Sequence, residues 1–422
     1  MFAYANEGLT VIIIGAGLAG GNAAVALRDQ GYDGPVLILG DEPNVPFGRP
    51  PLSKAYLRGE EDLSGWLVRP PDWYRDRQVE LRMDDPVGHV DPVGRFVTTR
   101  RGERLPFDQL LIATGVRNRE LRLPGSDLEG VMSLRTQADS DRIRAAAQRG
   151  DGVVLVGIGF IGSEVAASLT QMGVRVTAVF PESAPLARVL GDEVAAVLAA
   201  IHRERGVELL ASDGVEGFEG SARVEAVKTT SGRRLECSAA IVAVGVQPNV
   251  EFLMDSGIAI DNGVLVDELC RTNVASIFAC GDVANMAHPL FGRVRVEHYN
   301  NAEKHGAAAG RSMLGSGAPY DYNFTFWSDQ YAHSLEYVGI AHTWDRFVVR
   351  GSLEARSFLG FYLQGGLMRA AVGLGRGGDP EAEPESELAA CGRLIKNRTP
   401  VEVSVLADDA VDLWELAGGR PS

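Results

Sequence analysis

The chain has 422 residues, 45% of them hydrophobic and 23% charged, which is enough for two or three domains that each bury a core. Its formal net charge of −15 excludes bulk nucleic-acid binding, which needs a net basic surface. The four cysteines, at 237, 270, 280 and 391, show no CxxC spacing, so neither a zinc site nor a redox dithiol is expected and no metal is assigned.

The opening residues MFAYANEGLT lack a basic leader region, and the apolar run that follows is only strand-length. No signal peptide or membrane span is expected, and four reduced thiols fit a cytoplasmic protein. Residues 10–42 read TVIIIGAGLAGGNAAVALRDQGYDGPVLILGDE, which predicts strand, glycine turn, helix and strand. Gly15, Gly17 and Gly20 stand at the turn, with Leu18 and Ala19 at the helix start. In such a motif the first glycine permits the turn, the second lets backbone approach a pyrophosphate, and the third allows close helix–strand packing. The helix N-terminus offers its unpaired N–H groups to the phosphates. Asp41 follows the second strand, where a carboxylate can accept ribose hydroxyls.

Residues 47–57, FGRPPLSKAYL, set a rigid Pro50-Pro51 step before Ser53 and Lys54. Lysine is scarce: Lys54, Lys228, Lys304 and Lys396 are the four in the chain. The strand LLIATG (110–115) ends on a glycine. The grammar of the first unit returns in VVLVGIGFIGSEVAASLTQMGVRVTAVF (153–180), with Gly157, Gly159 and Gly162 around Phe160 and Ile161. Two such units predict two bound nucleotides. At the end of the second strand Phe180 replaces the usual acidic residue, and Glu182 follows two positions later. No arginine sits immediately after that strand, which favours NADH over NADPH. Glu164 reads either as a solvated residue in the first helical turn or as a carboxylate in the cofactor cleft. AAIVAVGVQPN (239–249) and SIFACGD (276–282) are further strands ending in glycine. Beyond about Asp321 the strand-like segments HSLEYVGI, RFVVRGSL and SFLGFYLQGG precede the acidic stretch GGDPEAEPESE (377–387), read as a solvated loop.

Taken in order, GAGLAG with GDEP, RPPLSKAYL, ATG at 113–115, GIGFIGSEVA, GVQPN, ACGD at 279–282 and FWSDQY at 326–331 resemble the FAD-dependent pyridine-nucleotide oxidoreductases of the glutathione-reductase-like fold. More narrowly, the chain resembles the putidaredoxin-reductase-like ferredoxin reductases that serve Rieske oxygenases and cytochromes P450. The resemblance spans nearly the whole chain. It implies an α/β fold class with two Rossmann-like nucleotide-binding domains of the glutathione-reductase type and a C-terminal α+β domain. The expected boundaries are 1–120 with 245–320 for FAD, 121–244 for NAD(H), and 321–422 for the C-terminal domain.

The resemblance also implies site roles. The first glycine motif holds FAD, with Asp41 on its ribose and Arg49, Ala113, Thr114, Gly115, Arg135, Gly281 and Asp282 around the cofactor. Glu297, His298 and Tyr299, in VEHYNNA, fall near the flavin, Tyr299 at a position where the family often carries another residue. The second motif, with Glu182 and Gly245, holds NADH. Lys54 lies beside the isoalloxazine with Glu164 as its partner, and Trp327 approaches from the C-terminal domain; a core tryptophan is the alternative. A positive charge there helps stabilise reduced, negatively charged flavin. Hydride transfer from NADH further requires the two βαβ units to face a common cleft.

Disulfide reductases of this fold carry a cysteine pair at the helix start where this chain has Pro50, Pro51, Ser53 and Lys54. With no internal acceptor, electrons are expected to leave for a small [2Fe–2S] ferredoxin, without nucleic-acid or membrane partners and as a monomer or weak dimer. Arg69, Arg75 and Arg77, with Arg293 and Arg295, are candidate docking arginines. Two other readings stay open: a flavin enzyme of the same fold that reduces oxygen, a quinone or an ascorbate radical, and an NADH-sensing interaction protein like apoptosis-inducing factor.

Overall fold

Val11–Ile14 are four consecutive branched apolar residues, all buried, and form the centre of a parallel sheet. In a computed structural model, which describes residues 9–150 and 152–420, the chain divides into two compact units. Residues 1–8, on which the expectation of no signal peptide rests, lie outside the described residues. The first unit comprises 1–49, 63–117 and 246–322. Its main sheet runs 277–279, 109–112, 11–14, 36–39, 79–82, all parallel, with Val11 in register with Val36 and Gln109. Helix Leu18–Asp29 follows the central strand. Against it lies helix Tyr299–Met313. A Cβ on Gly306 would stand 2.2 Å from the Ala19 carbonyl oxygen, and one on Gly310 2.6 Å from that of Ala23. The two helices approach at van der Waals distance because these positions lack side chains.

The second unit comprises 50–62, 118–245 and 323–422. Its parallel sheet runs 208–210, 176–179, 153–156, 239–242, 131–132, repeating the first architecture. A five-stranded antiparallel sheet follows, in the order 325–330, 333–339, 367–374, 357–364, 346–352. Leu190, Val194, Leu198 and Ile201 of helix Ala187–Glu204 share one core with Tyr337, Phe358, Tyr362 and Val372 of that sheet. This shared core is why the second nucleotide-binding fold and the C-terminal sheet form one unit rather than two. Residues 50–62, placed by sequence with the first nucleotide-binding domain, belong to this unit too: the Ser140 hydroxyl donates to the Leu52 carbonyl (2.9 Å) and the Ser168 hydroxyl to that of Ser53 (2.7 Å).

The acidic 377–387 stretch is not wholly a solvated loop. Ser386 caps helix Glu387–Asn397, accepting from the Ala389 N–H, and Glu387 forms a two-pronged ion pair with Arg376 at 2.7 and 2.8 Å. Among the described residues no helix is long and apolar enough to cross a membrane.

Candidate functional site

In the first unit the turn after Val11–Ile14 is built on Gly15, at φ +116°, where a Cβ would stand 2.2 Å from the Ala113 carbonyl oxygen. A Cβ on Gly20 would meet the Gly15 carbonyl oxygen at 2.0 Å. Around Gly17, at the helix N-cap, nothing lies within 4 Å of an added Cβ. The second unit repeats this. A Cβ added to Gly157, at φ +92°, would stand 2.5 Å from the Ala243 carbonyl oxygen and one on Gly162 2.4 Å from that of Gly157, whereas one on Gly159 meets nothing within 4 Å. The outer glycines of each motif are therefore required by packing. The middle one leaves a backbone cradle at a helix N-terminus, which suits a pyrophosphate.

Around the first cradle, Ala113, Thr114 and Gly115 close on Asn249 of GVQPN. The Thr114 hydroxyl donates to the Asn249 carbonyl (2.8 Å), and the Asn249 amide returns to Thr114 O (2.9 Å). Asp41 is exposed, whereas the neighbouring Glu42 is half-buried and held by Arg49 at 2.5 Å. Sequence position alone does not separate these two adjacent acids, so Glu42 carried no signal of its own. Gly281 packs on the Ala19 Cβ, Arg295 donates to the Asp282 carbonyl (3.1 Å), and Gly281 N–H donates to His305. Glu297 pairs with Arg295 at 2.7 Å, and His298 stands at the N-cap position of the helix that Tyr299 begins. The Tyr299 ring fills the space beside Gly48 and meets Trp66 edge-on at 6.0 Å. Burial raises its phenol pKa.

In the second unit Phe180 is 1% exposed and is a core residue. Glu182, beyond it, is partly exposed and is the first carboxylate after that strand. Arg119 N–H donates to Gly245 O (2.9 Å). Phe160 turns inward to meet Phe326 edge-on at 4.8 Å, and Ile161 is exposed. Arg135 precedes the capping box of Thr136 and Asp139, its N–H donating to Asp139 (3.0 Å).

The second unit also assembles FGRPPLSKAYL with two distant segments. Pro50–Ser53 form one turn of 3₁₀ helix, and Lys54 follows. Lys54 Nζ lies 3.0 Å from Glu164 Oε2. The Ser53 hydroxyl donates to the same oxygen at 2.5 Å, and the Ser328 hydroxyl to Oε1 at 2.8 Å. Glu164 is 4% exposed, which removes the reading of a solvated first-turn residue. Strand alternation places Ser328 and Gln330 on the face toward Glu164 and Trp327 on the other face, paired across the strands with Glu336. Ser328, Gln330 and His202 carried no signal in the sequence beyond polar residues within apolar patterns.

The candidate docking arginines differ in how far they are already engaged. Arg295 has a side chain only 8% exposed and is spent on Glu297 and the Asp282 backbone. Arg75 is exposed and flanked by Asp72 and Asp76 at 2.9 and 3.0 Å, which offsets its own charge. Arg293 donates to the backbone carbonyl of Asn285 (2.8 Å).

Residues 9–306 match the pyridine nucleotide-disulphide oxidoreductase family, and residues 325–417 the reductase C-terminal family. The chain belongs to the pyridine nucleotide-disulphide oxidoreductases. It is thus an oxidoreductase of FAD and a pyridine nucleotide, and the two-Rossmann architecture with a C-terminal α+β domain is as expected. The oxidoreductase is 34% identical over 409 residues to rhodocoxin reductase of Rhodococcus erythropolis, covering 96% of this chain and 93% of that one. It is 33% identical over 406 residues to the benzene 1,2-dioxygenase system ferredoxin–NAD(+) reductase subunit of Pseudomonas putida, covering 96% and 97%. A solved covalent putidaredoxin reductase–putidaredoxin complex superposes with a TM-score of 0.91 at 33% identity, over 98% of this chain and 99% of that one. Unlike a dithiol enzyme, this oxidoreductase has four free, buried cysteines, and burial raises the thiol pKa of each.

Acid should weaken this fold. Burial lowers the His202 pKa to about 4 and that of His305 to about 3. Unfolded rings bind a proton near 6.5, so between the folded and unfolded values the unfolded chain holds more protons. The stabilisation is fully present above about pH 6.5 and is lost as pH falls toward the folded values. The urea midpoint at pH 5.5 should therefore lie below that at pH 7.5; equal midpoints would contradict the assignment of neutral buried rings.

Proposed function

We propose that the chain carries electrons from NADH, through bound FAD, to a small [2Fe–2S] ferredoxin serving an oxygenase or cytochrome P450. The observation that carries this reading is the pair of glycine cradles together with the fixed Lys54–Glu164 ion pair in a segment without cysteine. FAD, when bound, takes an electron pair from a nicotinamide and releases electrons singly. In this reading the first cradle binds its pyrophosphate, Asp41 accepts ribose hydroxyls, and Arg49, Ala113, Thr114, Gly115, Arg135, Gly281 and Asp282 position the rest. Glu297, His298, Tyr299 and Trp327 border the ring system. The second cradle binds the NADH pyrophosphate beside Gly245, and Glu182 accepts from the adenosine ribose. A 2′-phosphate would face the Glu182 carboxylate, which supports NADH over NADPH. Lys54 presents a positive charge fixed by Glu164, Ser53 and Ser328, set before charge develops. The names of the relatives, rhodocoxin reductase and a putidaredoxin-bound reductase, support a ferredoxin as acceptor. Buried thiols support a reducing compartment, the cytoplasm.

The test is anaerobic NADH reduction of the yellow holoprotein, followed by cytochrome c reduction with and without a [2Fe–2S] ferredoxin. Reduction should depend on the ferredoxin. Equal rates without it, or faster turnover with oxygen or a quinone, would point instead to the small-molecule reductase reading. Slow bleaching with a change of assembly state would point to the sensor reading.

Gly159→Val separates binding from folding. Gly159 has φ −67° and nothing within 4 Å of an added Cβ, so valine fits the backbone and fills the cradle. Valine is a poorer helix N-cap than glycine, so stability should fall by only about 1 kcal/mol, while the KM for NADH rises at least about tenfold. An unchanged KM would mean that the second cradle does not take the dinucleotide.

A further inference from the structure

Beyond Ser328 the hydrogen bonds continue. Gln330 Nε2 lies 3.3 Å from Ser328 Oγ, Gln330 Oε1 lies 3.0 Å from His202 Nε2, and His202 Nδ1 lies 3.0 Å from the Tyr331 hydroxyl. Ser328, Gln330 and His202 are at most 2% exposed, so solvent does not compete for the links among these three. The direction of every hydrogen in the chain is fixed from one end. A carboxylate facing an ammonium carries no hydrogen to give, so Ser328 must donate to Glu164. Ser328 then accepts from the Gln330 amide nitrogen, which turns the Gln330 carbonyl oxygen toward His202. That oxygen can only accept, so His202 carries its hydrogen on Nε2 and Nδ1 accepts from Tyr331.

We propose that His202 is a positioning residue for the Lys54–Glu164 pair: its neutral Nε2–H tautomer fixes Gln330, which commits the Ser328 hydroxyl to Glu164 and so holds Lys54 in place. Helix Ala187–Glu204 thereby acts on the Pro50–Lys54 turn through four side chains, His202, Gln330, Ser328 and Glu164. Burial keeps the ring neutral, with its pKa lowered to about 4, and keeps the Tyr331 phenol protonated, pushed up to about 12. Both states are those the chain of donors requires. The consequence for flavin electronics rests on the function proposed above; the positioning of Lys54 does not.

Two properties of the protein make this testable. Lysines 54, 228, 304 and 396 are the four in the sequence, so a 15N-lysine spectrum of the FAD-loaded full chain is simple. His202 is also one of only seven histidines. In 15N-histidine spectra at pH 7 His202 should be a neutral Nε2–H ring; an Nδ1–H or cationic ring overturns the proposal. The Lys54 ammonium should be protected from hydrogen exchange in the wild type. In His202→Leu, which removes the donor, exchange should rise about tenfold or more, and in His202→Gln, which retains an amide donor, protection should return. Equal protection in the two variants overturns the proposal. Where His202→Leu does not fold, Gln330→Glu decides. A carboxylate there accepts from both neighbours, so it should take the Ser328 hydrogen from Glu164, protonate His202 at pH 7 and deprotect Lys54. An unchanged ring and unchanged Lys54 protection overturn the proposal. The flavin midpoint potential, read on the same proteins and on Lys54→Ala, separates the two claims. A potential insensitive to Lys54→Ala refutes the flavin role of Lys54, while the exchange data still decide the role of His202.

Discussion

Glu164→Ala is expected to destabilise the protein by about 3–5 kcal/mol, the range for stripping one partner from a buried ion pair, and to slow NADH-driven flavin reduction about 10- to 100-fold. The carboxylate accepts from two hydroxyls and an ammonium in a place where it is itself 4% exposed. Without it, Lys54 keeps the Pro50 carbonyl at 3.5 Å, and the hydroxyls of Ser53 and Ser328 lose their acceptor. Unmet hydroxyls add to the cost because the site is closed to water. Urea denaturation of Glu164→Ala, Lys54→Met and the double variant measures the coupling directly. Removing the cation as well should recover part of the loss, because no buried charge is then left alone. A coupling below about 0.5 kcal/mol, the usual additivity error, would show that the pair does not act as a unit. Glu164→Gln, which keeps the shape but cannot satisfy all three donors, should fall between wild type and alanine.

Arg350→Met is expected to cost about 3 kcal/mol, the sum of three carbonyls left without donors at about 1 kcal/mol each, with the loss confined to the C-terminal segment. Arg350 is 1% exposed on the strand Arg346–Ser352, and its guanidinium reaches the carbonyls of Leu406 (2.7 Å), Val411 (3.0 Å) and Val405 (3.1 Å). Glu387 stands 3.7 Å away to balance its charge. One side chain thus holds the short helix Val403–Ala407 and the turn that follows it. Methionine fills much of the volume but offers those carbonyls nothing. Limited proteolysis should then cut within 400–412, while the absorbance of bound flavin is kept. Lysine at this position cannot form the three-way fork and should rescue only part of the loss. Protection of 400–412 equal to wild type in Arg350→Met would refute the clamp.

Both nucleotide-binding folds were legible in the sequence because their signals are local. A buried parallel strand is a continuous apolar run, and the turn after it needs glycine at fixed offsets for reasons of backbone conformation and close approach. The absence of CxxC is equally plain in the sequence, and by itself it separates this chain from dithiol chemistry. The Lys54–Glu164 pairing came from resemblance, since no spacing rule joins segments 111 residues apart, the separation of Ser53 from Glu164.

What depended on tertiary structure was everything set by burial and by distant partners. Asp41 and Glu42 are neighbours in the chain, but only the fold gives Glu42 to Arg49 and leaves Asp41 exposed. Phe180 looked like a change in the nucleotide site and is a core residue. Arg295 looked like free positive charge, and its side chain is buried and paired with Glu297. His202, on a helix whose buried face is otherwise Leu190, Val194, Leu198 and Ile201, read as one polar residue in an amphipathic pattern; its link to Glu164 runs through a strand 128 residues further on. Periodicity and glycine spacing report on the backbone around a residue. Charge state, hydrogen-bond direction and exposure report on what other segments bring to it, and these exist only once the chain has closed on itself.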